Sequence, residues 1–336
     1  VYGYESKTFH APLIAGTPGM MLAAVSISDA TKVHADWPSV PVVSEPKHLF
    51  NDPNIDLIVI PTPNDTHFPL AKAALEAGKH VIVDKPFTVT LSQARELDAL
   101  AKGLGRLLSV FHNRRWDSDF LTVKTLLSEG TLGEILFFES HFDRFRPQVR
   151  NRWREQAGPG SGIWYDLAPH LLDQAVNLFG LPVSMTVDLA QLRPGAQTTD
   201  YFHAVLSYPQ RRIVLHGTMV AAAESARYII HGTRGSYVKF GLDPQEDRLK
   251  NGERLPQEDW GYDMRDGVVT RVEGEELVEE TLLTMPGNYP AYYAAIRDAL
   301  NGTGENPVPA SKAIQIMELI ELGIESAKHR ATLCLA

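Results

Sequence analysis

The sequence predicts an α/β protein in two parts: an N-terminal Rossmann-type, doubly wound parallel sheet, then a C-terminal α+β domain with a large, mainly antiparallel open sheet. Three observations predict it. From residue 22 to residue 111, short apolar runs alternate with stretches at helical spacing, the rhythm of parallel strands joined by right-handed crossovers. After about residue 118 this gives way to alternating strands and short turns such as Tyr208-Pro209-Gln210-Arg211, which suggest antiparallel hairpins. A chain of 336 residues is also long enough for two cores. The parts are placed at 1–118 and 119–336.

In chain order, Val1-Tyr2-Gly3-Tyr4 with Ser6, Lys7 and Thr8 reads as a glycine-containing turn entering a helix whose body is residues 10–15. Residues 22–26, including the small apolar Ala23-Ala24-Val25, read as a strand. Asp52-Pro53-Asn54 turns the chain into a continuous apolar strand at 55–60. Pro61-Thr62-Pro63-Asn64 breaks it, and Asn64 or Asp65 caps a helix with Leu70, Ala71, Ala74 and Leu75 on one stripe, stopping at Gly78. Val81-Ile82-Val83, between the Gly78-Lys79 turn and Pro86, is a strand buried on both faces. A helix over 91–103 turns Ala94, Leu97, Leu100 and Ala101 inward. A strand over 107–111 then leads to His112-Asn113-Arg114-Arg115.

A helix over 120–129 ends at Gly130, and residues 135–142, 185–192, 201–208, 212–219, 227–231 and 236–240 read as strands. Residues 243–275, polar and carrying Gly, Pro and Asp throughout, read as a surface excursion. Helices over 290–300 and 311–329 close the chain. These two and the helix after Asp166 can shield one face of the second sheet. The other face is expected to show Tyr201, His203, Val205, Ser207, His216, Thr218, Tyr228 and Ile230. A mixed surface of this kind is suited to a second copy of itself about a two-fold axis. The expected assembly is a homodimer or a dimer of dimers.

Composition narrows the partners. The chain is 44% hydrophobic and 22% charged, and its net charge of -9 and pI near 5.7 argue against nucleic acid or an anionic membrane. No apolar run approaches the roughly 18–20 residues of a membrane span, and no secretory leader is read at the start. Cys334, the single cysteine, can neither close an intrachain disulfide nor build a cysteine zinc cluster. A reducing, cytoplasmic setting is expected.

Three stretches carry chemistry. Lys85 stands at the carboxyl end of a parallel strand, the edge where such sheets bind ligands, so it is expected to face a crevice. Read locally, Asp84 and Lys85 are also a plain charge pair closing a strand. Pro86 fixes the backbone just after the lysine, through a bond that can be cis. The second stretch runs from Gly158 to Asp173. Its glycines give a flexible entry, Pro169 belongs in a first helical turn, and Asp166 and His170, four apart, can face the same way. A carboxylate beside an imidazole holds one tautomer and favours the charged ring, which suits a histidine that takes up a proton. A capping aspartate beside a surface histidine is the other reading. A metal held by Asp166, His170 and Asp173 would need further ligands, and none is expected. The third stretch sets Arg144, Arg146, Arg150, Arg152 and Arg154 among aromatics. In an acidic chain it calls for a local anion, such as a dinucleotide phosphate or polar substrate, beyond what a solvated loop explains.

Together these stretches resemble the GFO/IDH/MocA oxidoreductases, a two-domain NAD(P)-dependent family, along nearly the whole chain. The family's Glu-Lys-Pro motif appears as Asp84-Lys85-Pro86, its Asp-x-x-x-His helix as Asp166 to His170, and its Thr-Pro-x-x-x-His loop as Thr62-Pro63-Asn64-Asp65-Thr66-His67. Phe111-His112-Asn113-Arg114-Arg115-Trp116-Asp117-Ser118-Asp119-Phe120 and Arg152-Trp153-Arg154-Glu155 look most like NADP-dependent scyllo-inositol 2-dehydrogenases. Two departures matter. Val1 stands at the first glycine of the family's Gly-x-Gly, and the strand before it is absent. Without that strand the flanks of Ala23-Ala24-Val25 and Ile58-Val59-Ile60 lie open, so residues ahead of Val1 are expected. Ile27 stands where a ribose-holding carboxylate would mark NAD preference. Ser28 suits a 2′-phosphate, although Asp29 stands where an arginine would help. NADP is the expected cofactor, with NAD the alternative.

The resemblance implies a nucleotide-binding N-terminal domain and a substrate-binding, oligomerising C-terminal one. It implies Lys85, Asp166 and His170 as catalytic, and Gly3, Ser26, Ser28, Thr62, Pro63, Asn64, His67, Asp84, Lys85, Asn113, Trp153 and Arg154 as cofactor-binding. His170 accepts the hydroxyl proton with Asp166 orienting it, and Lys85 hydrogen-bonds the same oxygen as the hydride leaves. The expected activity is that of a sugar or inositol dehydrogenase. The alternatives are a reductase of another small carbonyl, diol or imine, and a non-catalytic cofactor-sensing regulator on the same fold.

Overall fold

In the computed structural model, which describes residues 2–335, backbone contacts divide the chain into two units. One comprises Val1–Asn113, Gln245–Trp260 and Asn288–Met317; the other comprises Arg114–Pro244, Gly261–Gly287 and Glu318–Ala336. The Val1 position in the Gly-x-Gly comparison lies outside the described residues.

The first unit opens with a wide helical turn, Ser6–His10, running into α1 (Ala11–Ala15). Then come β1 (Val25–Ser26), α2 (Thr31–His34), β2 (Val42–Val43), α3 (Pro46–Phe50), β3 (Leu57–Ile60), α4 (His67–Glu76), β4 (His80–Asp84), α5 (Leu91–Gly103) and β5 (Leu108–Phe111). All pairings in this unit's sheets are parallel. The order β3-β4-β5 puts β4 in the middle, and Val81, Ile82 and Val83 are wholly buried, as their uninterrupted apolar run requires. Strand β1 is shorter than the expected 22–26. It pairs with β2 in a separate sheet, and an apolar slot of about 150 Å³ is lined by Ala23, Ala24 and Val25 and by Ile58, Val59 and Ile60. Among the described residues no strand pairs between those flanks.

The second unit holds α6 (Ser118–Ser128), β6 (Ile135–His141), α7 (Ile163–Asp166), α8 (Ala168–Phe179), β7 (Ser184–Ala190), β8 (Tyr201–Ser207), β9 (Arg212–Thr218), β10 (Ala226–Gly232) and β11 (Gly235–Phe240). With β12 (Gly267–Glu273), β13 (Glu276–Leu282) and β14 (Leu333–Cys334) they form a nine-stranded sheet, β13-β12-β11-β10-β6-β9-β8-β7-β14. It is antiparallel except where β6 lies parallel to β9. Helices cover one face: Trp164 packs edge-on against Phe202, and Leu171 and Leu172 are wholly buried. The other face carries half-exposed Tyr201, His203, Val205, Ser207 and His216, as expected. Thr218, also expected there, is buried, and Tyr228 and Ile230 are corrections. Both are wholly buried on the helix side, and Ile229 and His231 alternate to the opposite side.

Residues 243–275 are not one surface excursion. They contain α9 (Gln245–Lys250) and strand β12, whose polar alternation near the sheet edge hides it from an apolar-run criterion. Helix α10 (Pro290–Leu300), expected over the second sheet, belongs to the first unit, where Tyr292 Oη meets Ser109 Oγ at 2.9 Å. Helix α11 (Ala310–His329) gives residues 310–317 to the first unit and the rest to the second.

Candidate active site

Lys85 follows β4 directly, where the register pairs Asp84 with Phe111 of β5. Two buried groups hold its backbone. Asp84 Oδ1 accepts the Lys85 N–H at 2.7 Å, and the Lys85-Pro86 bond is cis. The His67 ring, fully buried at the start of α4, sits between two carbonyls: Nδ1 is 2.8 Å from the oxygen of Pro86 and Nε2 is 2.9 Å from that of Thr62. One side chain thus ties the loop after β3 to the loop after β4. Burial pushes the His67 pKa down, against the pull of the Asp84 charge.

Asp84 is supported from behind. Its Oδ2 lies 3.6 Å from His10 Nε2, and His10 Nδ1 is 2.6 Å from the buried Tyr293 hydroxyl. Burial by itself would raise the Asp84 pKa, but the His10 ring, Lys85 and His67 outweigh it and hold the carboxyl below its usual value. The same neighbourhood pushes the Tyr293 hydroxyl well up, through burial first and then Tyr292 and Asp84.

The proposed cofactor residues of the first unit fall into two groups. Gly3 and Ser28 are exposed, and no atom stands within 4 Å of where a Cβ on Gly3 would be, so a ligand can approach that backbone. Ser26, Thr62, Asn64, His67 and Asn113 are buried around the carboxyl ends of the strands, with Pro63 half-buried among them. Residues of this kind at this edge fit a dinucleotide. Asp29, beside Ser28, is turned inward on its own segment: its Oδ1 accepts from Thr31 N and Oγ1 at 3.1 and 2.6 Å.

Asp166 and His170 lie in the second unit. The expected single helix breaks at Leu167, so Asp166 ends α7 and His170 sits in the first turn of α8. Gly162 starts α7 at φ +84°, with a Cβ there only 3.0 Å from the Thr199 carbonyl oxygen, so a side chain at this position would be strained. Asp166 is 3.5 Å from Arg154 Nε and 3.8 Å from Arg144 Nη1. Burial and crowding by Arg144, Arg152 and Arg150 lower the Arg146 pKa to about 10, so this cluster is rich in positive charge. Two of the five arginines thus serve the proposed catalytic carboxylate, and Arg154 also lies over Trp153, 4.5 Å from the ring centre.

Sequence reasoning missed the groups that hold α8. Asp173, weighed as a metal ligand, accepts two bonds from Arg115 at 2.6 and 2.7 Å. Gln174 accepts from Arg227 Nη2 and Tyr228 Oη, both at 2.9 Å, and donates to the Arg114 carbonyl. Arg227 is itself buried on Asp119 at 2.9 Å. Phe142 stacks near the His170 ring, with centroids 6.4 Å apart. An arginine at an inward position of an apolar strand was the available signal.

Two family models match the chain. One, described as oxidoreductase family, NAD-binding Rossmann fold, matches residues 2–112; the other, oxidoreductase family, C-terminal alpha/beta domain, matches residues 124–335. The chain is 88% identical over 335 residues to the uncharacterized oxidoreductase YdgJ of Escherichia coli (strain K12), covering 100% of this chain and 97% of that protein. It is 38% identical to the scyllo-inositol 2-dehydrogenase (NADP(+)) IolW of Bacillus subtilis (strain 168), covering 99% of this chain and 94% of that protein. Among solved structures, an oxidoreductase from Yersinia pestis superposes with a TM-score of 0.97 at 70% identity, covering 100% of this chain and 95% of that one.

Proposed function

Since the chain belongs to the GFO/IDH/MocA oxidoreductases, we propose that it is an NADP-dependent dehydrogenase acting on a secondary alcohol of an inositol or sugar, or on the matching ketone. The observation that carries the reading is Lys85, set at the carboxyl end of the central strand and fixed by Asp84 and the His67 clamp. The substrate class and the choice of NADP rest on the likeness to IolW and on a Ser28 that adds no negative charge where a 2′-phosphate would lie.

Gly3, Ser26, Ser28, Thr62, Pro63, Asn64 and Asn113 would hold the nucleotide, with Trp153 and Arg154 beside its nicotinamide. The nicotinamide, when bound, takes or gives the hydride. The chain's own residues manage the proton and the charge. His170 takes the hydroxyl proton as the alcohol is oxidised and returns it in ketone reduction. Asp166 sets the field around that histidine, itself balanced by Arg144 and Arg154. Lys85 donates a hydrogen bond to the reacting oxygen, which carries alkoxide-like charge as the C–H bond breaks.

The open face of the nine-stranded sheet supports self-association into a homodimer or dimer of dimers. A cytoplasmic setting accords with the lone cysteine, and no helix among the described residues is long and apolar enough to cross a membrane. Steady-state NADPH and NADH oxidation across keto-inositols, ketoses, dicarbonyls and imines tests the reading. Saturable turnover of a keto-inositol or ketose with NADPH is expected. Turnover confined to other carbonyls or imines would replace the substrate class. Tight cofactor binding without turnover of anything would make the protein a sensor.

A further inference from the structure

Among the described residues, one grouping of histidine and carboxylate side chains is close enough to hold a metal ion, and it lies outside the site above. It consists of His141, Asp143 and His216, whose ligand atoms are all within 4.8 Å of one another. We infer that these three residues form a binding site for a divalent transition ion of the zinc class on the open face of the second unit's sheet.

The sequence builds the cluster through strand register. His141 ends β6 and pairs across the parallel ladder with His216 of β9, bringing two imidazoles side by side with ring centres 5.0 Å apart. Asp143, two residues on, returns to the same face. Its Oδ1 lies 2.8 Å from His216 Nδ1 and its Oδ2 lies 3.0 Å from His141 Nδ1. Ligand atoms on a tetrahedral ion with bonds of about 2.0–2.2 Å stand about 3.4 Å apart, so small side-chain rotations within this group admit the ion.

The surroundings match a metal centre in two further ways. His141 Nε2 is 2.7 Å from Glu139 Oε1, the carboxylate support that fixes a ligating ring and leaves Nδ1 for the metal. Asp143 and Glu139 bring two negative charges to two imidazoles, a balance suited to a dication. With two nitrogens, one ligating oxygen and no thiolate, the donor set selects borderline divalent ions over Ca²⁺, Mg²⁺ or Cu(I). All three ligands are half-exposed in the single chain, so the remaining coordination positions are open.

The site is built into the strand that serves the chemistry. Phe142 and Arg144 alternate with His141 and Asp143 and point to the opposite side, toward His170 and Asp166. Backbone bonds from Phe142 N to the His216 carbonyl and from Arg144 N to the Thr218 carbonyl tie the two strands at this point. A bound ion therefore pins the end of β6 from the open side.

Equilibrium dialysis of the EDTA-stripped full-length protein against Zn²⁺, with Co²⁺ as a spectroscopic substitute, tests the inference. The expected result is one ion per chain with a Kd of about 1 µM or below, Co²⁺ bands of nitrogen and oxygen ligation, and a Tm raised by several degrees at saturation. His216→Gln and Asp143→Asn should each weaken binding at least about 100-fold. Glu139→Gln, which keeps all three ligands and is the variant to use should the others fail to fold, should weaken it roughly 10–100-fold. His231→Ala, on the same face but hydrogen-bonded to Ser236, should leave binding unchanged. Binding that is absent, weaker than millimolar, or indifferent to Glu139→Gln and His216→Gln would overturn the site.

Discussion

Asp84 shows how one buried group serves both stability and the reading of Lys85. Its folded pKa lies below the ordinary carboxylate value, so the unfolded chain holds the proton more tightly than the native state. The resulting stabilisation is present above the unfolded value of about 4 and is lost as pH falls through the lower folded value. Asp84→Asn should therefore be less stable than wild type at pH 7, with the gap closing below about pH 4, as read from urea midpoints across pH; a constant gap would remove the charge from the account. Ser28 is a second single-residue lever. Ser28→Asp adds a carboxylate beside Asp29, and the KM for NADPH should rise roughly tenfold or more relative to NADH, since like charges at a binding surface are costly. An unchanged ratio of the two KM values would move the 2′-phosphate elsewhere.

Helix α8 owes its position to buried charge at the level of the element. Arg227 joins β10 to α6 through Asp119 and to α8 through Gln174. Removing one partner of a buried pair leaves the other uncompensated, so Arg227→Ala should cost about 3–5 kcal/mol in urea unfolding; a loss under about 1 kcal/mol would show that α8 does not depend on it. Such features also mark what the sequence could and could not convey. Helix α5 was legible because Ala94, Leu97 and Ala101 make one buried stripe, while the Thr90–Gln93 capping box at its start is seen in the structure. Strands β12 and β13 were not, since both lie toward the sheet edge, where burial no longer demands apolar alternation and Leu277 is 73% exposed. Tyr228 and Ile230 were assigned to the wrong face because the period of a strand is 2, and one step of phase moves every side chain across. The Asp84-Lys85-Pro86 and Asp166–His170 stretches could be found because each stands at an element end. Their supports (His10, Tyr293, Arg115, Arg227) come from distant parts of the chain, and no local pattern announces them.

At the scale of the whole molecule, the proposals concern assembly and turnover. Light scattering should give a mass of two or four times 37.2 kDa at micromolar concentration, and Val205→Arg, which places a charge on the open face, should shift it toward one chain; a wild-type monomer would remove the sheet from the assembly. The central claim of the proposed function is that Lys85 acts on the substrate oxygen while other residues hold the nucleotide. Side-by-side NADPH oxidation by wild type and Lys85→Met with a keto-inositol, with the NADPH Kd measured by fluorescence on the same preparations, tests it most directly. The account predicts saturable wild-type turnover and a loss of about 10²–10⁴ in kcat for the variant, at nearly unchanged cofactor affinity. Equal losses of turnover and affinity, or a variant as fast as wild type, would contradict it.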